Sequence, residues 1–444
     1  MKEHSMYDLK RLDEFHGRSG PLLLIILDGI GIGDEYEGNA FYRAHPKTLL
    51  KLAKECRERG LFCKLQASGE AVGLMNEKDK GNSEVGHNAL GAGKIYPQGA
   101  KLVDIAIKKG KIFQTKLWKQ MVQKVKTNDS TVHLIGLLSD GNVHSSINQL
   151  FRLLDGLQNS GIQNVRLHIL TDGRDVPAKS ALEYIHPLQL KLQEIRQKSD
   201  DNEYFDYRIA SGGGRMRVTM DRYESDWKIV QRGWDAHVRG VVREDELKNG
   251  YKGYYSSAAK AIKDARNCFP KLNDQFLPPF VIVNDDSEPV GQIKDNDVVI
   301  NFNFRGDRAI EISKAFEQGE EFKGFDRVVH PDVLYIGLTQ YDGDEKIPEN
   351  YFVHPPKIKD VLTDYCCAND ITQFAIAETH KYGHVTYFWN GNRSGYFCIE
   401  KEKYVNIPSE PNEMIEEHPE MKAEEVCKQT ITAIKSGEWD FIRV

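Results

Sequence analysis

The chain is 444 residues long, with 40% hydrophobic and 28% charged residues and a formal net charge of −6. That length exceeds what one hydrophobic core holds and favours two domains; the composition is that of a soluble globular protein, and the mild negative charge gives no sign of nucleic-acid binding, though it leaves room for a local basic patch. Seven scattered cysteines, odd in number and without a C-x-x-C pair, argue against a disulfide framework or a zinc site and for a reducing, cytoplasmic setting.

The first fifteen residues are polar and charged, with no apolar run suited to a signal peptide. The longest apolar run, Leu22–Leu27, is too short to span a bilayer, so no membrane partner is expected. That run is predicted to be a buried strand. Further β-branched, apolar runs at Val132–Leu138, Val165–Leu170, Val298–Phe302, Leu334–Leu338 and Gln373–Ala377 predict more strands. Between many of them lie helical patterns, such as Ile147–Leu157, where Ile147, Leu150, Phe151 and Leu154 keep helical spacing. Strands alternating with helices predict an α/β fold with mostly parallel sheets. The C-terminal stretch predicts a helix near Met421–Lys435 and then a strand ending at Val444. Two stretches suggest connections between domains: Ile95–Gly99, and Val353–Lys357 with its two prolines. They predict an outer domain of residues 1–97 and 355–444 around a middle domain of residues 98–354.

In such sheets ligands gather past the carboxyl ends of strands. Asp28 follows the first run, in LDG, and is suited to ligating a metal. Capping a helix and, through Gly29, Gly31 and Gly33, a dinucleotide turn are the alternatives, although the G-x-G-x-G spacing is not the dinucleotide fingerprint. Ser83, in GNSEVGH, sits at the expected start of a helix. There the dipole and free N–H groups would stabilise an attached phosphate, and a base or metal would activate the hydroxyl; an ordinary helix cap is the alternative. His144 is suited to binding or to moving a proton, or to a turn. Asp175 is suited to holding a hydroxyl, or to pairing with Arg174. Arg305 and Arg308 are three apart and would converge on one ligand if Gly306 opened a helix; a surface ion-pair face with Asp307 is the alternative. His380 and His384 are four apart, but HKYGH lacks the metalloprotease glutamate, and no metal role is expected of them.

The order of motifs is more specific than any one of them. LDG and GNSEVGHNALGAG are followed by LLSDGNVHS, TDGRDVP, SGGGRMRVTMDRY, NFNFRGDRA and AETHKYGHVTYFWNGNRSG. This series resembles the cofactor-independent phosphoglycerate mutases of the alkaline-phosphatase superfamily, in their plant-type branch, over roughly residues 20 to 444. The resemblance implies two α/β domains: an alkaline-phosphatase-like outer domain and an inserted substrate-binding domain. It implies interconversion of 3-phosphoglycerate and 2-phosphoglycerate by a monomer through a phosphoserine, with domain closure excluding water. Two manganese ions, with magnesium or cobalt as alternatives, would assist, and 2,3-bisphosphoglycerate would not be needed. Asp28 would then be a metal ligand, and Ser83 both nucleophile and ligand. His144, Arg174, Asp175, Arg215, Arg222, Arg305 and Arg308 would bind phosphoglycerate, and Lys381 would contact the phosphoryl group. The family's later metal motifs, D-x-x-G-H-T and D-H-G, do not occur in the sequence. The resemblance therefore implies a chain that stops short of the full metal site, with an exposed sheet edge in its outer domain. Rival expectations are an inactive chain that still binds phosphoglycerate, a phosphatase or phosphotransferase of the same superfamily and, more distantly, a dinucleotide enzyme.

Overall fold

A computed structural model describes residues 6–444 except positions 11, 16, 18, 32, 75–76, 98, 199–203, 223, 344, 355–357 and 411–416. Gln98 of the first expected connection, Pro355, Pro356 and Lys357 of the second, and Tyr223 of SGGGRMRVTMDRY lie outside the described residues. The strands run in chain order as β1 (Leu22–Leu24), β2 (Val132–Leu138), β3 (Asn164–Thr171), β4 (Asp206–Gly214), β5 (Tyr254–Tyr255) and β6 (Phe280–Ile282). They continue as β7 (Val298–Asn301), β8 (Leu334–Thr339), β9 (Tyr351–Val353), β10 (Gln373–Glu378), β11 (Glu402–Ile407) and β12 (Phe441–Arg443). The chain divides into two compact units, Met1–Pro97 with Lys357–Val444, and Gln98–Pro356.

The second unit holds a sheet in the order β5-β6-β4-β3-β2-β7-β8-β9. Its pairs are parallel except β4 with β6, so the β5–β6 edge runs against the rest. Side chains alternate across the pleat and feed two cores. On β2, Val132 and Leu134 pack with the helices at Ile147–Asn159 and Ala181–Gln197. Ile135 faces the other way, with Val299, Tyr335, Trp234 and Phe316. Every residue of β2 is buried, as a strand covered on both faces requires. From β2 the order passes outward through β3 to β4; from β7, on the other side of β2, it passes to β8 and β9. The order reverses between β2 and β7, and ligands in such sheets gather at that reversal, past the carboxyl ends of the strands.

The first unit holds a parallel sheet in the order β1-β12-β10-β11. The buried strand predicted at residues 22–27 is instead a short, exposed one. Strand β1 covers three residues and is an edge paired only with β12, so Leu22 is 68% and Ile25 57% exposed. An apolar run is buried only where both its faces are covered, and run length alone does not report that. The helix predicted at residues 421–435 forms at Ala423–Ser436 and leads into β12.

Candidate functional site

In the first unit the helix Ser83–Ala92 opens with Ser83 as its first residue. The cap is not the serine but Asn82, whose side chain accepts the Val85 N–H at 3.0 Å. The serine hydroxyl is therefore free for other partners. It donates to Asp28 Oδ1 at 3.0 Å and accepts from Lys381 Nζ at 2.7 Å. Lys381 Nζ also lies 2.7 Å from Asp28 Oδ2, so three residues far apart in sequence close a triangle of serine, carboxylate and ammonium. Burial pulls the Asp28 carboxyl up, but the hydrogen bonds from Lys381 and Ser83 outweigh it and leave the group below the usual carboxylate range. Asp28 sits in a turn rather than capping a helix.

Two glycines hold this arrangement close. A Cβ on Gly81 would lie 1.7 Å from the Ala67 carbonyl oxygen, and one on Gly91 would lie 2.0 Å from that of Trp389. Behind the serine, His87 Nδ1 bonds the Ser83 carbonyl at 2.8 Å, and its ring meets that of His384 edge-on at 5.3 Å. Burial keeps His87 below its ordinary pKa, hence neutral.

In the second unit the loops after β2, β3, β4 and β7 converge. Asp172, the residue following β3, is the hub. Its Oδ2 accepts the Ser139 hydroxyl at 2.7 Å; its Oδ1 accepts the Arg174 and Asp175 backbone N–H groups at 3.1 Å and Arg215 Nη1 at 3.0 Å. Arg215 also pairs with Asp175, so Asp175 takes Arg215 rather than its neighbour Arg174. Arg215 is 1% exposed, and its Nε is buried without a hydrogen-bond partner among the described residues.

His144 presents its carbonyl to the N–H groups of Phe304, at 2.8 Å, and Arg305, at 3.4 Å. Those contacts tie the β2 loop to the β7 loop. Its Nδ1 stands 3.6 Å from Asp307 Oδ1. Burial, and then the charges of Arg215, Arg305, Arg308 and Arg174, hold its pKa well below the ordinary value. The ring is therefore neutral at physiological pH, able to give or accept a hydrogen bond but poorly suited to donating a proton as an acid. The proton-moving role expected of it narrows accordingly.

Asp307 receives Arg305 Nε at 3.1 Å and faces Arg222 Nη1 at 3.9 Å. Arg305 and Arg308 do not share a helix. The helix starts later, at Ile310, and Asp307–Ala309 form a turn closed by the Ala309 N–H on the Gly306 carbonyl at 2.7 Å, with the Tyr341 backbone packed against Gly306. Nor is the pair a surface ion-pair face, since Arg308 is 6% exposed. Burial, with Arg222, Arg215 and Arg174 nearby, lowers its pKa to about 10. Five guanidiniums (Arg174, Arg215, Arg222, Arg305, Arg308) thus face three carboxylates (Asp172, Asp175, Asp307), an excess of positive charge in a mostly buried place. Such an excess is suited to a small anion, and the planar guanidinium fork fits carboxylate and phosphate alike.

Residues 103–343 match the family described as BPG-independent PGAM N-terminus (iPGM_N). Over 438 residues the chain is 47% identical to a probable 2,3-bisphosphoglycerate-independent phosphoglycerate mutase of Leptospira interrogans, covering 98% of this chain and 76% of that protein. The chain belongs to the 2,3-bisphosphoglycerate-independent phosphoglycerate mutase family. The corresponding mutase of the plant Mesembryanthemum crystallinum is 47% identical over 423 residues, covering 95% of this chain and 72% of its own length. A crystal structure of Leishmania mexicana phosphoglycerate mutase at low cobalt concentration superposes with a TM-score of 0.83 at 43% identity, covering 96% of this chain and 74% of that one. The fold is the family's α/β architecture, alkaline-phosphatase-like with an inserted domain. Phosphoglycerate mutases are isomerases, intramolecular phosphotransferases, and the family is metal-dependent.

Whether the residues present suit a metal is a question of donors. Asp28 and Ser83 offer hard oxygens, but divalent transition metals are held by about four or more donors. Among the described residues no group of three or more histidine, cysteine, aspartate or glutamate side chains is arranged to hold a metal ion. The cation that these two oxygens do have is the Lys381 ammonium. The described residues therefore do not by themselves form a metal site. Sequence reasoning placed Ser139, Asp172 and Asp307 past strand ends but gave them no role in the site; the signal for Asp172 is its place directly after a buried strand.

Proposed function

We propose that the chain interconverts 3-phosphoglycerate and 2-phosphoglycerate through a phosphoserine on Ser83. Four guanidiniums around the neutral His144 (Arg215, Arg305, Arg308 and Arg174), with Arg222 beside Asp307, carry this reading. A phosphoglycerate has a phosphate and a carboxylate on a three-carbon frame, and several cations gathered in one cluster, with Arg215 and Arg308 buried, match that charge pattern. Arg174, Arg215, Arg222, Arg305 and Arg308 bind the two anionic groups. Asp175 accepts a hydrogen bond from the glycerate hydroxyl, and His144 adds a neutral one.

Ser83 Oγ attacks phosphorus while its proton passes to Asp28 Oδ1, the acceptor it already faces. The P–O bond to the glycerate breaks with its electron pair on the glycerate oxygen, which takes the proton. With the other glycerate hydroxyl as nucleophile, the reverse sequence gives the isomer. Asp28 is a weak base at its depressed pKa, so Lys381, donating to Oγ at 2.7 Å, supplies the counter-charge as the serine oxygen becomes negative. Manganese, two ions in the family's full site, is the metal the resemblance favours; the comparison structure names cobalt.

An enolase-coupled assay on this chain, with manganese and without 2,3-bisphosphoglycerate, tests the reading, together with calorimetric titration of 3-phosphoglycerate. Turnover that disappears in Ser83→Ala supports it. A second reading, binding without turnover, draws on the two-donor Asp28–Ser83 pair; it predicts a titratable site, lost in Arg305→Ala, with no turnover under any metal. A folded chain that neither binds nor turns over phosphoglycerate sinks both.

A further inference from the structure

A chain of hydrogen bonds crosses the second unit beneath the arginine cluster, on the sheet face opposite the larger core. It starts at Asp297, whose Oδ2 faces His133 Nε2 at 3.1 Å. His133 Nδ1 meets His168 Nε2 at 2.9 Å, and His168 Nδ1 meets Ser211 Oγ at 2.6 Å. Ser211 Oγ meets His237 Nδ1 at 2.7 Å, and His237 Nε2 meets Thr219 Oγ1 at 2.9 Å. The five residues beyond Asp297 are each at most 1% exposed. A buried run of this length is costly unless each group has its partner.

With all three rings neutral, the donors and acceptors allow one assignment. An ionised carboxylate only accepts, so His133 Nε2 carries a hydrogen and donates to Asp297. His133 Nδ1 then accepts from His168 Nε2–H, and His168 Nδ1 accepts from the Ser211 hydroxyl. Ser211 oxygen accepts from His237 Nδ1–H, which leaves His237 Nε2 to accept from the Thr219 hydroxyl. All three rings are neutral in this arrangement, in keeping with burial, which lowers each pKa.

The far end of the chain is a strained residue. Thr219 has φ +71°, a conformation that a β-branched residue adopts only when its surroundings impose it. Its N–H donates to the Ile229 carbonyl at 2.8 Å. Its side chain fits against Gly233, where a Cβ would lie 2.0 Å from Thr219 Oγ1. The next residue, Met220, directs its carbonyl to Arg308 Nη1 at 2.7 Å.

We infer that Thr219 is a positioning residue for Arg308: the relay from Asp297 pins its hydroxyl, the pinned hydroxyl holds the left-handed backbone, and that backbone aims the Met220 carbonyl at the guanidinium. Neither Thr219 nor His237 touches the anion in this scheme. The consequence for ligand binding rests on the functional reading above; the consequence for Arg308 itself does not.

Two substitutions separate the hydroxyl from the backbone. Thr219→Ser keeps the hydroxyl, whereas Thr219→Gly makes the backbone conformation easy but removes the hydroxyl. The first readout is the Arg308 side-chain N–H resonances of the unliganded chain, assigned by their loss in Arg308→Lys. They are expected to be slowly exchanging in the wild type and in Thr219→Ser, and fast in Thr219→Gly. The second is 3-phosphoglycerate affinity, expected to fall about tenfold in Thr219→Gly and to stay near wild type in Thr219→Ser, the scale of one lost hydrogen bond to a charged group. Unchanged Arg308 exchange in Thr219→Gly overturns the inference, whatever the binding data show. A wild-type chain that fails to bind 3-phosphoglycerate overturns the functional reading instead, and the exchange readout still decides the role of Thr219.

Discussion

Replacing Asp172 by alanine removes the hub of the second unit's site. The carboxylate accepts from Ser139, from the Arg174 and Asp175 backbone N–H groups, and from Arg215 Nη1. Side-chain exposure is 2% for Asp172 and 1% for Arg215, so solvent screens the pair little and water cannot readily take the lost partner's place. Deleting one member of a buried ion pair costs about 3–5 kcal/mol, because the other charge is left uncompensated. Arg215 retains Asp175, which places the expected loss near the lower end, about 3 kcal/mol. Urea unfolding of the wild type and the variant, followed by tryptophan fluorescence, reads the difference; the second unit contains the buried Trp118 and Trp234. A second consequence is local. The turn that carries Arg174 and Asp175 loses the acceptor for both N–H groups, so 3-phosphoglycerate affinity should fall even in conditions where the variant is fully folded. A loss of stability below about 1 kcal/mol would refute the reasoning, since that is the range of an exposed pair. It would mean that the Asp172–Arg215 contact is open to water.

Glu311 gives a pH signature. It is buried, and burial first, with Asp221 and Glu224 adding to it, pushes its carboxyl up to about 8 from 4.5. The folded state therefore holds a proton that the unfolded chain has released. The stabilisation is complete below the unfolded pKa and is lost as pH rises toward about 8. Urea midpoints measured between pH 5 and 8.5 should decline in the wild type and decline less in Glu311→Gln, by something on the order of 3 kcal/mol at the top of the range; parallel profiles would rule this out. Gly91→Ala should be strongly destabilising for the first unit, because the added Cβ meets the Trp389 backbone rather than a movable side chain; a melting temperature within a degree or two of the wild type would count against that packing. In Lys381→Met the Asp28 carboxyl should titrate closer to its ordinary value, because the hydrogen bond that most lowers it is gone; a carboxyl carbon titration by NMR that does not move would show that Ser83 alone holds it down.

Much of this was legible in the sequence where a local pattern carries the information. The strand predicted at Val132–Leu138 forms at those residues, and the helix predicted from Ile147 starts there. Apolar periodicity is a property of the segment itself, and a covered strand must show it. The residues past the strand ends were also readable, because chain order alone says which residue follows a strand. What was not legible depended on neighbours across the sheet. Leu22–Leu27 looks like a buried strand, but its exposure is set by what lies beside it. Asp172 stands two residues from Arg174 in sequence, yet its charged partner is Arg215, brought alongside because β3 and β4 pair with Thr171 opposite Gly214. The histidine relay was invisible for the same reason. His133, His168 and Ser211 sit on three separate strands, and only the pairing of β2 with β3 and of β3 with β4 puts their side chains in line.

The reversal of strand order between β2 and β7 also bears on how the second unit folds. His144 and Arg305 meet across that reversal, although more than half of the unit's chain separates them. The β2 and β7 loops meet once β7 has joined β2, and Asp172 and Arg215 meet once β3 and β4 have paired, so the complete anion site needs both pairings, the first of them long-range. No excised loop or half-unit should show a fraction of the affinity; the response is all or none. Conversely, a bound anion holds the whole sheet together. At about a hundredfold excess over its dissociation constant it would raise the unfolding free energy of the unit by about 2.7 kcal/mol. Amide exchange would then slow as far away as β9, a strand with no residue at the site.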